Sequence, residues 1–131
     1  MAQRILVCDE DYLIVEDLVE LLTAESAADV EGFTSFGAFR EAMDPQGDDL
    51  EAVFLNYLPS DPDNQSGLDQ LIDTDTVIVL MDGAAAETLQ LSRPDILVLH
   101  KPFVQDTVSS IVRTIGARSS SGRPAPLPDP L

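Results

Sequence analysis

The chain has 131 residues, a formal net charge of −17 and 44% hydrophobic residues. That length and hydrophobic content predict one globular domain with a core of its own. The charge argues against a nucleic-acid binder, which needs a basic surface to meet phosphates, and equally against binding to an anionic membrane. It leaves two interpretations open: an ordinary acidic protein, or an acidic face that attracts a basic partner.

The sequence contains no recognisable segment for membrane insertion or export. No apolar run approaches the roughly 20 residues that span a bilayer, and residues 1–4 lead straight into a strand-like run. Cys8 is the only cysteine, which excludes an internal disulfide and favours a buried apolar role over a reactive thiol. We therefore expect a cytoplasmic protein.

Short apolar runs alternate with segments of helical spacing along the chain. The predicted strands are residues 4–8, 28–33, 50–55, 76–81 and 96–99. The predicted helices are residues 14–25, 36–43, 68–72, 84–91 and 108–116. Ser35 is a candidate N-cap, and residues 44–49 have the composition of a turn. Five strand–helix pairs predict an α/β fold: a parallel, doubly wound sheet with helices on both faces.

The segment after the third strand is rich in turn-forming residues. Ser60–Gly67 predicts a long polar loop, in which Asp61, Asp63 and Asn64 are interpreted as turn formers rather than calcium ligands. Only Leu68–Ile72 then remains for a helix. The third helix is therefore predicted to be shortened to little more than one turn.

The end of the chain has the composition of a tail. Residues 118–131 contain three consecutive serines and then alternating prolines, which predict a flexible or polyproline-II segment. A stiff segment of this kind loses little entropy on docking, so it is a candidate contact for a partner. The chain is thus divided into a domain over residues 1–117 and a tail over residues 118–131.

Five side chains fall where predicted strands end. Asp9 and Glu10 follow the first strand, Asn56 follows the third, Met81 ends the fourth, and Lys101 comes shortly after the fifth. The carboxyl ends of parallel strands meet at one edge of an open sheet and form its usual binding crevice. We therefore expect these side chains to share one site.

In this order and at this spacing, the motifs resemble the receiver domain of bacterial two-component response regulators. The matching segments are Ile5–Asp11, Val53–Pro59 with the later Gly67, Val77–Leu80 and Lys101–Phe103. The resemblance covers residues 3 to about 117 and implies a flavodoxin-like fold with five parallel strands in the order 2-1-3-4-5.

The resemblance also implies roles for three residues of the expected site. Asp9 and Glu10 match the acidic pair that binds Mg²⁺ in that family. Lys101, the only lysine in the chain, matches the lysine that contacts the phosphoryl group.

Three other positions depart from the family pattern. Asn56 stands where the phosphoacceptor aspartate belongs, Met81 replaces a Thr or Ser, and Val98 replaces the aromatic residue that acts as a switch. A neutral carboxamide is a poor nucleophile, and a thioether has no proton to donate to a phosphoryl oxygen. The resemblance is therefore to an atypical receiver, a pseudo-receiver without its phosphoacceptor aspartate.

We expect no required cofactor. Asp9 and Glu10, together with the amide oxygen of Asn56, retain the hard oxygen atoms that a weak Mg²⁺ site needs. The alternative is that Lys101 pairs with Asp9 or Glu10 and that no cation is present.

Together these features predict a stand-alone, phosphorylation-independent signalling protein of a two-component phosphorelay, and not an enzyme. Its expected partner is a protein: a histidine kinase, a phosphotransfer protein or another regulator. In the family, the fourth helix, fifth strand and fifth helix commonly form the binding surface and support homodimers. Two alternatives stay open: phosphorylation at a non-standard residue such as Asp9 or Asp61, and a metal- or ligand-sensing module.

Overall fold

The predicted alternation of strands and helices is present in the computed structural model, which describes residues 3–43, 50–58, 60–72, 74–81, 84–101 and 103–120. The strands are β1 (Arg4–Cys8), β2 (Asp29–Phe33), β3 (Leu50–Asn56), β4 (Val77–Met81) and β5 (Leu97–Leu99). The helices are α1 (Tyr12–Glu25), α2 (Phe36–Ala42), α3 (Pro62–Ile72), α4 (Ala84–Ser92) and α5 (Gln105–Ser120). The predicted turn over residues 44–49 lies outside the described residues.

The five strands form one parallel sheet in the order β2-β1-β3-β4-β5, which confirms the predicted topology. The register aligns the strand ends: Cys8 lies beside Leu55, and Met81 lies between Asn56 and Leu99. The residues that follow the strands are therefore brought to one edge of the sheet.

Helices cover both faces of the sheet because the central strands are apolar on both sides. Alternate residues of each strand point to opposite faces. Val7, Phe54 and Val79 pack with α1 and α5, whereas Leu55 and Leu80 pack with α2, α3 and α4. The core thus has two layers with the sheet between them.

Two of the helices begin at the caps that their sequences provide. The Asp11 side chain accepts a hydrogen bond from the backbone N–H of Leu13 at the start of α1. The Ser35 hydroxyl accepts one from Ala38 N–H at the start of α2, which confirms the predicted cap. Both caps lie directly after strand ends, so they also fix the loops at the edge where the polar residues converge.

The prediction of a shortened third helix is wrong, because α3 spans 11 residues, Pro62–Ile72. Asp61 accepts a hydrogen bond from Asp63 N–H, and Pro62 takes the first helical position, where its missing N–H costs nothing. Asn64 is buried, and Gly67 faces the ring of Phe36 so closely that a Cβ there would lie 2.4 Å from its Cζ. The composition of this segment indicates a loop, but tertiary packing stabilises it as a helix.

The last helix also differs from its prediction, since it continues past Gly116 to Ser120. Arg118 donates a hydrogen bond to the backbone carbonyl of Asp95, which ties the added turn to the loop before β5. The rest of the predicted tail, residues 121–131, falls outside the part of the chain that is described. Within that part, no helix has both the length and the apolar character needed to cross a bilayer.

Candidate functional site

Asp9 and Lys101 meet at the carboxyl edge of the sheet. Lys101 Nζ lies 2.6 Å from Asp9 Oδ2, and Asp9 is only 3% exposed, so this is a buried ion pair. Oδ2 has no hydrogen-bond partner among the described residues, so charge attraction holds the two groups together. Asp9 Oδ1 accepts a hydrogen bond from Asp11 N–H at 2.9 Å. Both carboxylate oxygens are therefore engaged within the chain.

Asn56 ends β3 beside this ion pair, and its backbone is held by a second asparagine. Asn64 donates a hydrogen bond from Nδ2 to the Asn56 carbonyl at 3.1 Å, and its Oδ1 accepts one from Leu58 N–H at 3.2 Å. Asn64 is 2% exposed, so its amide is committed to these two bonds. It clamps the loop between β3 and α3 and fixes the position of Asn56.

A cleft of about 290 Å³ opens beside Asn56. Its lining combines carboxylates, hydroxyl and amide groups with a few apolar side chains. The lining residues are Cys8, Asp9, Glu10, Thr34, Ser35, Phe36, Asn56, Leu58, Asp61 and Asn64. Asp9, Glu10 and Asn56 therefore share one pocket, and Lys101 reaches it through its contact with Asp9.

Met81 and Val98 do not line that cleft. Met81 is fully buried and packs in the core layer formed with α1 and α5. Val98 is half-buried and packs against the opposite layer. The two positions at which the family pattern has functional side chains are thus part of the apolar core.

Cys8 is buried under the site and is not a reactive thiol. Burial, together with the smaller effect of the nearby charges of Asp9 and Glu10, raises the pKa of its thiol from 9.0 to about 12. The thiolate form that nucleophilic chemistry needs is therefore scarce at neutral pH. This agrees with the apolar role expected from the sequence.

The single histidine pairs with a carboxylate of α4. His100 Nε2 lies 3.0 Å from Glu87 Oε2, and both side chains are more than half exposed. The contact links the end of β5 to α4, at some distance along the sheet edge from Asn56. Solvent screens a pair of this kind, so it contributes little to stability.

The predicted weak Mg²⁺ site would use two carboxylates and one amide oxygen at the strand ends. Asp9 has its Oδ2 taken by Lys101, Asn56 supplies a neutral oxygen, and Glu10 is exposed. In the described ranges, no group of three or more His, Cys, Asp or Glu side chains is placed to hold a metal ion. Weak Mg²⁺ binding through Asp9, Glu10 and Asn56 stays a prediction.

The sequence predicts turn roles for two residues that belong to the site. Asp61 lines the cleft and caps α3, and Asn64 clamps the loop below it. The signal that could have identified the first is the Asp-Pro pair at 61–62, which is typical of a helix start. Nothing in the sequence distinguishes Asn64 from an exposed turn residue, because its role depends on long-range packing.

Comparison with solved structures shows which fold this chain has. No family model matches the sequence, and no curated protein matches it. A CheY-like response regulator receiver domain protein from Methanospirillum hungatei has 16% sequence identity and a TM-score of 0.70, over 93% of this chain and 100% of that one. A response regulator receiver protein from Sinorhizobium medicae has 23% identity and a TM-score of 0.69, over 89% and 97% of the two chains.

A protein described as a pilus assembly protein, from Burkholderia thailandensis, is similar to the same degree. It has 16% identity and a TM-score of 0.68, over 88% of this chain and 98% of that chain. The chain therefore has the flavodoxin-like fold of response regulator receiver domains. Since proteins with different descriptions share this fold, the function has to be argued from the site.

Proposed function

We propose that this protein is a receiver-like signalling protein of a two-component pathway that acts by binding another protein, without being phosphorylated. The observation that carries the proposal is Asn56, which occupies the end of β3 in the cleft beside Asp9. Attack on phosphorus from this position requires a charged carboxylate oxygen, and the amide oxygen of Asn56 has no such charge.

The surrounding residues support a function without phosphoryl transfer. Lys101 is held by Asp9 at 2.6 Å, so its charge is already balanced inside the chain. Met81 lies in the core and offers no hydroxyl to a phosphoryl oxygen. The site therefore has neither a carboxylate nucleophile at residue 56 nor a hydroxyl donor at residue 81. The ammonium of Lys101 is paired with Asp9 inside the chain.

The proposed partner is a histidine kinase, a phosphotransfer protein or another regulator. One candidate surface is the face formed by α4, β5 and α5, where Leu91 in α4 is 85% exposed and Val104, directly before α5, is 57% exposed. A homodimer through the same face is the second use that we propose for it. Exposed leucine and valine side chains at these positions are available for burial on binding.

Intact mass measurement after incubation with acetyl phosphate and Mg²⁺ tests the absence of phosphorylation. We expect the mass of the wild-type protein to stay unchanged, because residue 56 is an asparagine and offers no carboxylate at the end of β3. The Asn56→Asp variant is the matched comparison, since it restores a carboxylate at that position and changes nothing else.

Three outcomes are possible, and each has a different meaning. A gain of one phosphoryl group by Asn56→Asp alone supports the proposal and shows that only the nucleophile is missing. A gain by the wild-type protein overturns it, and peptide mapping then distinguishes Asp9 from Asp61 as the acceptor. No gain in either protein shows that the other departures, including Met81, also block the reaction.

A further inference from the structure

The cleft beside Asn56 extends beyond the strand ends, towards the first turns of α2 and α3. Half of its lining comes from residues that lie at or shortly before the starts of these two helices. They are Thr34, Ser35, Phe36, Leu58 and Asp61. We call these five residues the outer cleft. The roles that the receiver resemblance implies fall on other residues, so the outer cleft has no function from that source.

The cleft carries an excess of negative charge. Asp9, Glu10 and Asp61 all line it, and Lys101 balances the charge of Asp9 alone. The ion pairs among the described residues do not include Glu10 or Asp61. Two carboxylates without a counter-charge therefore border one cleft, and they favour a cation as its occupant.

The size of the cleft favours a molecular cation. Its volume of about 290 Å³ is roughly ten times the ~30 Å³ that one water molecule occupies in the liquid. Glu10 follows β1, whereas Asp61 precedes α3, so the two carboxylates come from different loops. A cation that carries N–H donors at several positions can bond both of them and still fill the space between the loops.

Two groups at the inner end of the cleft offer hydrogen-bond capacity that the described residues leave unused. Asp9 is 3% exposed and its Oδ2 accepts no hydrogen bond from them, although Lys101 balances its charge. Asn56 is half-buried, and the hydrogen bonds within the described part of the chain use its backbone carbonyl and not its side-chain amide. Buried polar atoms are stabilised when a partner reaches them, so an occupant rich in N–H donors fits this end.

We propose that the cleft binds a guanidinium group. This cation is planar and has five N–H donors in a fixed arrangement that matches carboxylates. It also stacks on aromatic rings, and the partly buried ring of Phe36 lines the cleft while packing against Phe39 at a centroid distance of 5.5 Å. Glu10 and Asp61 would accept hydrogen bonds from its edges, and Phe36 would cover one of its faces.

Two sources could supply this group: a free small molecule, or an arginine side chain of a protein partner. The inference goes beyond the proposed function and does not rest on the absence of phosphorylation. A cleft of this volume lies at the small end of ligand sites, which span roughly 300–1,000 Å³. The bound part of either source is therefore limited to the guanidinium and a short chain.

The test titrates the full chain, labelled with ¹⁵N, with butylguanidine. Its neutral counterpart butylurea has the same planar shape and is the matched control probe. We expect butylguanidine to shift the amide signals of residues 34–36, 58 and 61, and butylurea to leave them unchanged, because only the first carries a charge. MgCl₂ is the third arm, and shifts from a metal ion at the strand ends should centre on residues 9, 10 and 56.

A blocked arginine, N-acetyl-arginine N-methylamide, distinguishes the two sources. It carries the same guanidinium on a peptide backbone. Tighter binding of the blocked arginine than of butylguanidine supports an arginine of a protein partner. The reverse order supports a free small molecule.

Two matched variants separate the cleft from general attraction to an acidic protein. Glu10→Gln/Asp61→Asn removes two charges from the cleft, and asparagine caps a helix as well as aspartate does, so α3 is kept. The control, Glu31→Gln/Asp69→Asn, removes two exposed charges outside the cleft. We expect the first to weaken butylguanidine binding on the order of tenfold and the control to change it less than about twofold. Phe36→Leu should weaken it by about threefold, because the ring face is lost.

Four results would overturn the proposal. They are equal losses in the two double variants, equal binding of butylurea and butylguanidine, shifts that leave out residues 34–36 and 61, and no binding of either guanidinium probe. Dispersed amide spectra of every variant confirm that the fold is intact before affinities are compared. Failure here leaves the phosphorylation test unaffected, because that test is read by mass and depends on residue 56.

Discussion

Asp9 carries a charge that is almost fully removed from solvent, with 3% of its surface exposed. A buried carboxylate is tolerated when a counter-charge and hydrogen bonds satisfy its oxygens. Lys101 and the Asp11 amide fill these roles here. The stability of the strand-end site therefore depends on a lysine for which the resemblance to receiver domains implies contact with a phosphoryl group.

Replacing Lys101 with methionine is expected to lower the free energy of unfolding by about 3 kcal/mol, because Asp9 is left buried and unpaired. Urea denaturation measures the loss. The exposed Arg93→Met is the control and should change stability by no more than about 0.5 kcal/mol. The double variant Asp9→Asn/Lys101→Met should recover most of the loss. Equal effects of Lys101→Met and Arg93→Met would show that the pair is not structurally important.

Cys8 gives the fold a measurable pH dependence. Burial, with the charges of Asp9 and Glu10, raises the pKa of its thiol from 9.0 to about 12. Between these values the unfolded chain releases a proton that the folded chain keeps, so the stabilisation is complete below pH 9 and is lost as the pH rises towards 12. We expect the urea midpoint to fall above pH 9, and to fall less in Cys8→Ala. Identical profiles for the two proteins would contradict the assignment.

At the scale of elements, the strands and four of the helices could be predicted because their apolar spacing is strong and their caps are local. The third helix could not, because Asp61, Pro62 and Asn64 read equally well as a turn. The helix forms because Gly67 contacts Phe36 and because Asn64 is buried. Neither contact can be predicted from the neighbouring residues in the sequence. The candidate site shows the same difference between features predictable from local sequence and features that depend on long-range packing. Strand register placed Asp9, Asn56 and Lys101 together, whereas the Asn64 clamp needed the fold.

Gly67→Ala is expected to destabilise the protein by about 1–3 kcal/mol, because the new Cβ would lie 2.4 Å from the rigid ring of Phe36. Gly116→Ala is the matched control in α5, where, beyond the adjoining residues and backbone of the helix, no heavy atom of the described residues lies within 4 Å of the added carbon. That variant should raise stability by up to about 1 kcal/mol through helix propensity. Thermal unfolding measures both, and a second substitution, Phe36→Leu, should restore part of the loss in Gly67→Ala. A neutral Gly67→Ala would mean that α3 and α2 are not in close contact.

At the scale of the whole molecule, repulsion among like charges opposes folding, since the net charge is −17. Salt at about 1 M reduces the Debye length to about 3 Å and screens this repulsion. We therefore expect the urea midpoint to rise between low salt and 1 M NaCl. The variant Glu16→Gln/Asp17→Asn/Glu20→Gln should respond less, because it carries three fewer negative charges. A midpoint that does not change with salt would show that repulsion is already balanced locally.

The two open edges of the sheet are both poor templates for another strand. β5 offers only three residues of backbone, and β2 presents the exposed carboxylates Asp29 and Glu31 along its length. The second barrier consists of charge alone, and the chain as a whole loses its net charge near its isoelectric point of about 4.1. Mild acid would therefore weaken the barrier at β2 together with the repulsion between molecules. We expect fibril growth or precipitation to begin at the β2 edge as the pH is lowered. Purification and storage are accordingly best kept at neutral pH.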